Sequence, residues 1–244
     1  MKKIFLFLIM AFSISLQAQT IKIAAAANLR FAMDEIKVKY ITANPDDRLE
    51  LIFGASGNLT QQIVNGAEFD LFMAADKEFP DKLRALNMVS GEVHVYALGK
   101  LVLWSNTLDI SNGLNTLTSQ TVKRIAIPKP ELAPYGNRAV ECLKYYHLFD
   151  KVKDKLVYAD NVAQTAQFVQ TGNAEVGFLA YALIAAPNMR GSYFVPDSLS
   201  YHPIEQAMVL IKKREHNPKA TKFMKYILSP ACKSTFEKYG YSVP

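Results

Sequence analysis

The sequence predicts an α/β protein of two lobes, each a mixed sheet with helices on both faces, joined by two hinge strands. Three observations carry that expectation. Strand-like runs alternate with helical periodicity through residues 20–76 and again through 124–181, the pattern that builds sheets with parallel strands. Between them, residues 93–104 read as almost continuously extended, with Gly99 in the middle. A second long extended run, Ile204–Ile211, reads as the return crossing. Two lobes joined by two strands form a cleft with a natural hinge, here near 95–103 and 204–210. The expected division is 20–98 with 206–244 in the first lobe and 99–205 in the second.

Residues 1–19 read as a signal peptide. Lys2 and Lys3 form a positive start, 4–16 is an apolar run short for a bilayer span, and Ser15-Leu16-Gln17-Ala18-Gln19 supplies small and polar residues at a cleavage site. The nearby absence of cysteine argues against a lipid-anchored form, and no later stretch is long and apolar enough for a membrane helix. Export as a soluble protein is expected.

In the first lobe, Ile21-Lys22-Ile23-Ala24-Ala25-Ala26 forms a strand that runs into Asn28. Asn28 reads as a helix N-cap. Leu29, Met33, Ile36 and Tyr40 then recur at helical spacing and face a core. Asn44-Pro45-Asp46-Asp47 breaks the chain before the strand around Leu49-Glu50-Leu51-Ile52-Phe53. Ser56-Gly57-Asn58 opens a helix carrying Leu59, Ile63 and Val64, Asn65-Gly66 ends it, and 70–76 is a third strand.

The second lobe repeats the theme. A strand over 124–128 leads to the turn Pro134-Tyr135-Gly136 and a helix over 137–147. Leu156–Ala159 is the next strand, a helix follows Asn161, and 176–181 is a strand. A last helix over 220–228 and the tail through Pro244 return to the first lobe.

Composition narrows the function. A hydrophobic fraction of 50% with 20% charged residues indicates a globular chain rather than a disordered one. The formal charge of +6 falls to +4 once Lys2 and Lys3 are discounted, and the remaining basic residues are mixed with acids, against a nucleic-acid partner. Export permits a disulfide between Cys142 and Cys232. Two reduced, packed thiols are expected instead, since a bridge would pin together parts that must move.

None of the four histidines has another histidine or a cysteine at i+3 or i+4. A Gly-x-Ser-x-Gly elbow and Gly-rich phosphate loops are missing from the sequence. Asp70 and Asp76 flank a strand without a visible catalytic partner. No enzyme, metal site or cofactor is expected.

The positive signal is a set of neutral helix starts: Ala27-Asn28, Ser56-Gly57, Tyr135-Gly136-Asn137 and Asn161-Val162, two in each lobe. A helix start offers unpaired N–H groups and about half a positive charge. Any one of them is commonly a plain cap or turn. Together, opening toward one cleft, they make an anion site that needs no lysine or arginine.

These runs resemble a known family. Ala24-Ala25-Ala26-Ala27-Asn28-Leu29, Phe53-Gly54-Ala55-Ser56-Gly57-Asn58-Leu59, Asp70-Leu71-Phe72-Met73-Ala74-Ala75-Asp76, the run from Tyr96 to Trp104, Pro130-Glu131-Leu132-Ala133-Pro134-Tyr135-Gly136 and the closing Tyr239-Gly240-Tyr241 are similar to the ModA family, the molybdate-binding periplasmic proteins of ABC importers. The resemblance covers the whole mature chain in order. It implies a type II periplasmic-binding-protein fold, a monomer in the periplasm, and molybdate or tungstate bound in the cleft for delivery to a membrane permease. The implied ligands are Asn28 and Ser56 from the first lobe, with Tyr135 and, through its backbone N–H, Val162 from the second. Molybdenum or tungsten enters only as the bound oxyanion.

Two departures stand out. Ala27 replaces a threonine of some relatives, and Ala180 stands where some carry a tyrosine ligand. Tyr181, one place on and expected on a strand, would point to the opposite face and is not counted as a ligand. Two other classes stay open: a receptor for sulfate, phosphate or another oxyanion, and an exported hydrolase using Ser56.

Overall fold

The computed structural model describes residues 20–187 and 189–244. The signal-peptide reading of 1–19 lies outside the described residues. Two five-stranded mixed sheets organise the chain.

The chain begins with β1 (Thr20–Ala26), passes a 3₁₀ turn (Ala27–Leu29) and enters α1 (Arg30–Ala43). The expected stripe is buried, Leu29 from the 3₁₀ turn and Met33, Ile36 and Tyr40 from α1, with Ala32 added beside it. Then come β2 (Arg48–Gly54), α2 (Ser56–Val64), β3 (Leu71–Ala74), α3 (Glu78–Ala85) and β4 (Val89–Gly99). Strand β5 (Leu101–Ser105) starts the second sheet, followed by β6 (Ile125–Pro128), α4 (Pro134–Tyr145), α5 (Phe149–Val152), β7 (Leu156–Ala159), α6 (Val162–Gln170), β8 (Val176–Ala180), α7 (Tyr181–Ile184) and β9 (Ser192–Phe194). The chain returns through β10 (Ile204–Ile211), α8 (Pro218–Ile227) and α9 (Pro230–Lys238).

The first sheet has the order β2-β1-β3-β10-β4 and the second β7-β6-β8-β5-β9. In each, parallel strands from βα units meet antiparallel strands brought by the crossings. The passage between sheets is abrupt. Ile204 pairs with Gly99, so β10 lies wholly in the first sheet, and the outgoing strand breaks at Lys100 between β4 and β5. The β10–β4 ladder shifts register between Gln206 and Ala207, a bulge that re-aims the side chains beside it.

Three local expectations are corrected. Asn28 caps no helix: it is the middle residue of the 3₁₀ turn, whose N-cap is Ala26, with no side-chain cap bond. Tyr135 lies not in a turn but in the first turn of α4, which starts at Pro134 because proline lacks the N–H that a first-turn residue leaves unused anyway. Tyr181 opens α7 rather than ending a strand, with its ring against Tyr193 and the Gly240 backbone. Cys142 and Cys232 are both buried free thiols.

Candidate functional site

The four predicted residues line one small cavity, and none is more than 4% exposed. Each is delivered by a strand-to-helix passage. Ser56 is the first residue of α2, after extended Ala55, and its Oγ accepts from the Ala75 N–H at 3.0 Å. With that lone pair engaged, the Ser56 hydroxyl hydrogen is still available to a ligand. Val162 is the first residue of α6. Its predecessor Asn161 caps the helix through Oδ1, accepting from the N–H groups of Ala163 and Gln164 at 3.0 Å each.

Capping by Asn161 satisfies the second and third N–H of α6 and leaves the first free. Among the described residues, the backbone N–H groups of Asn28, Ser56, Tyr135 and Val162 meet no protein acceptor. Unpaired buried N–H groups are uncommon, and here they gather at one place. Otherwise the lining is alanine, glycine, proline and Asn161, and no charged side chain contributes to it.

Two buried side-chain atoms at the site also go unpaired among the described residues: Tyr135 Oη and Asn28 Oδ1. Burial pushes the Tyr135 phenol well above its ordinary pKa, so it stays a hydrogen donor at any physiological pH. The Asn28 amide is held differently from the simple expectation that it would donate into the cleft. Its Nδ2 gives one hydrogen to Gln206 Oε1 at 2.8 Å and the other to Tyr241 Oη at 2.8 Å. Both amide hydrogens are committed, which leaves the backbone N–H as the donor Asn28 offers to the cavity.

Gln206 and Tyr241 are the residues that sequence reasoning missed. The available signal for Gln206 was a polar residue on the return strand, immediately before the apolar run Ala207-Met208-Val209-Leu210-Ile211. Tyr241, whose phenol burial also raises, gave no local signal of its role.

The two halves touch around the cavity. Gly57 N–H donates to Leu132 O at 2.8 Å, and a Cβ on Gly57 would stand 3.0 Å from Leu132 Cα and O. Arg138 in α4 reaches Glu78 in α3 at 3.9 Å while pairing with Glu141 at 2.9 Å. Nearby Asp76, buried at the end of β3, has its carboxyl pushed up to about 6, chiefly by desolvation.

Residues 21–242 match the family model described as "Bacterial extracellular solute-binding protein". The molybdate-binding protein ModA of Azotobacter vinelandii is 35% identical over 232 residues, covering 93% of this chain and 91% of the relative. The chain belongs to the ModA family of bacterial extracellular solute-binding proteins. The Rhodobacter capsulatus ModA protein is 32% identical, with 96% of this chain and 92% of the relative covered. Among solved structures, the periplasmic molybdate-binding protein of Azotobacter vinelandii superposes with a TM-score of 0.87 at 31% identity, over 92% of this chain and 99% of that one. The sulfate-binding protein SubI of Mycobacterium tuberculosis, at 11% identity and a TM-score of 0.76, shares the fold alone. As in the ModA family generally, this is a solute-binding protein and not an enzyme, with the two mixed sheets its sequence predicts.

Proposed function

We propose that this chain is a periplasmic receptor that captures molybdate or tungstate between its two halves and delivers it, as a monomer, to the membrane permease of an ABC importer. The observation that carries the reading is an uncharged cavity into which four helix starts bring unpaired N–H groups. A tetrahedral dianion without hydrogens suits such a cavity. The donors are the N–H groups of Asn28, Ser56, Tyr135 and Val162 with the hydroxyls of Ser56 and Tyr135, and hydrogen bonds to a charged group are worth about 1.5–3 kcal/mol each.

Selectivity follows from the absence of fixed charge. A lysine in the site would take many anions, whereas neutral donors at a fixed radius discriminate by size and shape. Sulfate is disfavoured by its smaller radius and phosphate by the hydrogen it retains near neutral pH. Because donors come from both halves, bound oxyanion favours the closed arrangement by its preference for that form. The closed surface is then what a permease recognises.

One observation favours a second reading. Asn28 Oδ1 is a buried acceptor without a hydrogen, and the hydrogen of a hydrogen phosphate would satisfy it. Calorimetric titration of the mature protein with molybdate, tungstate, sulfate and phosphate separates the two. One-to-one binding of molybdate and tungstate, with the others silent, supports the first reading. Phosphate binding as tightly would replace it with the second, and silence from all four would remove both.

A further inference from the structure

Gln206 is fully buried on β10, beside the register shift of that strand. Its side chain spans the lobe-1 half of the site. Oε1 accepts from Asn28 Nδ2 at 2.8 Å, and Nε2 donates to Ala75 O at 3.2 Å. Ala75 is the same residue whose N–H donates to Ser56 Oγ at 3.0 Å. One glutamine therefore holds Asn28 directly and Ser56 through a single residue.

It also meets the other half. A Cβ on Gly99 would collide with the Tyr135 hydroxyl and lie 2.9 Å from Gln206 Nε2. Both groups thus abut the same bare face of the outgoing strand, which only glycine leaves open.

Hydrogen accounting fixes every orientation. Ala75 O requires a donor, so Nε2 faces it and Oε1 faces Asn28. Tyr241 gives its own hydrogen to Asn28 O at 3.0 Å, so its lone pair receives the second Nδ2 hydrogen. The amide of Asn28 has one arrangement that satisfies these partners.

We propose that Gln206 is the positioning residue of oxyanion capture, orienting Asn28 and the Ala75–Ser56 unit from the hinge strand and seating Tyr135 as the halves close, without touching the ligand itself. The proposal rests on the receptor reading above. It requires a group at this position that accepts on one side and donates on the other. Glutamine does so at every pH. A carboxylic acid does so only while protonated. Of the other titratable groups nearby, Tyr96, Tyr135 and Tyr241 are held protonated by burial, while Asp76, next to Ala75 and pushed up to about 6, titrates in wild type and variants alike, so each variant is read against the wild-type profile.

The test measures molybdate affinity and thermal melting of wild type, Gln206→Leu and Gln206→Glu across roughly pH 5.5 to 9, where a buried carboxyl titrates. Gln206→Leu is expected to weaken molybdate binding about 10- to 100-fold at all pH values, because Asn28 Nδ2 and Ala75 O both lose a partner. Gln206→Glu is expected to bind weakly at the alkaline end and to approach wild type at the acid end, relative to the wild-type profile. A folded Gln206→Glu protein with a flat profile relative to wild type, whether at full or uniformly reduced affinity, overturns the proposal. So does a folded Gln206→Leu protein binding within about twofold of wild type. Wild-type protein silent toward molybdate and tungstate overturns the receptor reading itself, and the proposal with it.

Discussion

Replacing Gly57 by alanine tests whether closure contributes to affinity. The new Cβ would stand 3.0 Å from Leu132 Cα and from Leu132 O, backbone atoms of the opposite half. Ordinary carbon contacts begin near 3.5 Å. The halves must therefore part by a few tenths of an ångström or carry the overlap, and the 2.8 Å bond from Gly57 N–H to Leu132 O lengthens with it. Overpacking of this kind costs about 1–3 kcal/mol. The penalty falls on the closed form alone, so apparent affinity drops with the closed population, by about 5- to 150-fold. Gly57→Val, with two further methyl groups, loses more. Titration calorimetry measures the affinity, and melting of the ligand-free protein is the control. That melt should not fall, because alanine is a better helix residue than glycine in α2. Affinity within about twofold of wild type would refute the reasoning, as would a ligand-free protein destabilised by as much as the binding energy lost.

Other variants separate side chains from backbone. Val162→Pro removes one N–H at the first position of α6, where proline is tolerated and where the extended Asn161 (φ −158°, ψ 172°) suits a following proline. It should lower molybdate affinity about tenfold or more at unchanged melting temperature, while Val162→Ala leaves affinity intact, both read by calorimetry. Ser56→Ala leaves the Ala75 N–H buried without an acceptor. It should cost about 1–3 kcal/mol in denaturant unfolding as well as weakening binding. Asp76, with its carboxyl held at about 6, binds a proton more tightly folded than unfolded. Its contribution therefore becomes less favourable as pH rises from about 4 to about 6, by about 3 kcal/mol at most. Asp76→Asn keeps the acceptor for Phe79 N–H and should be more stable than wild type at neutral pH, the gap closing by about pH 4 in parallel melts.

Much of the fold was legible because strands such as β3, β6 and β8 are short apolar runs that each follow a charged residue. Leu156–Ala159 and Ile204–Ile211 match the expected spans residue for residue. Errors gathered at element ends. Helix α4 starts at Pro134, earlier than its periodicity shows, and Pro230 opens α9, which the tail did not disclose. Asn28 carries a typical capping side chain, yet its tertiary partners claim the amide. The four helix starts were readable because small neutral residues after an apolar run are a local pattern. Gln206 and Tyr241 were not, since their bonds to Asn28 span 178 and 213 positions and no local pattern reports such pairs.

That long reach also orders the folding of the molecule. All strands of the second sheet lie between Leu101 and Phe194, a contiguous stretch whose strand pairings are all internal to it. The first sheet cannot, because β10 must return to sit between β3 and β4. Closing a loop of this size costs only modest entropy, about 0.6 kcal/mol for each doubling of length, but such distant pairings form slowly. The nascent chain therefore exposes an open edge on β3 until the second half is made and Ile204–Ile211 arrives. Seating that strand is the same event that brings Gln206 to Asn28. Ligand competence thus waits on the most distant pairing of the first sheet, and a chain without it would present an unpaired strand and no working site.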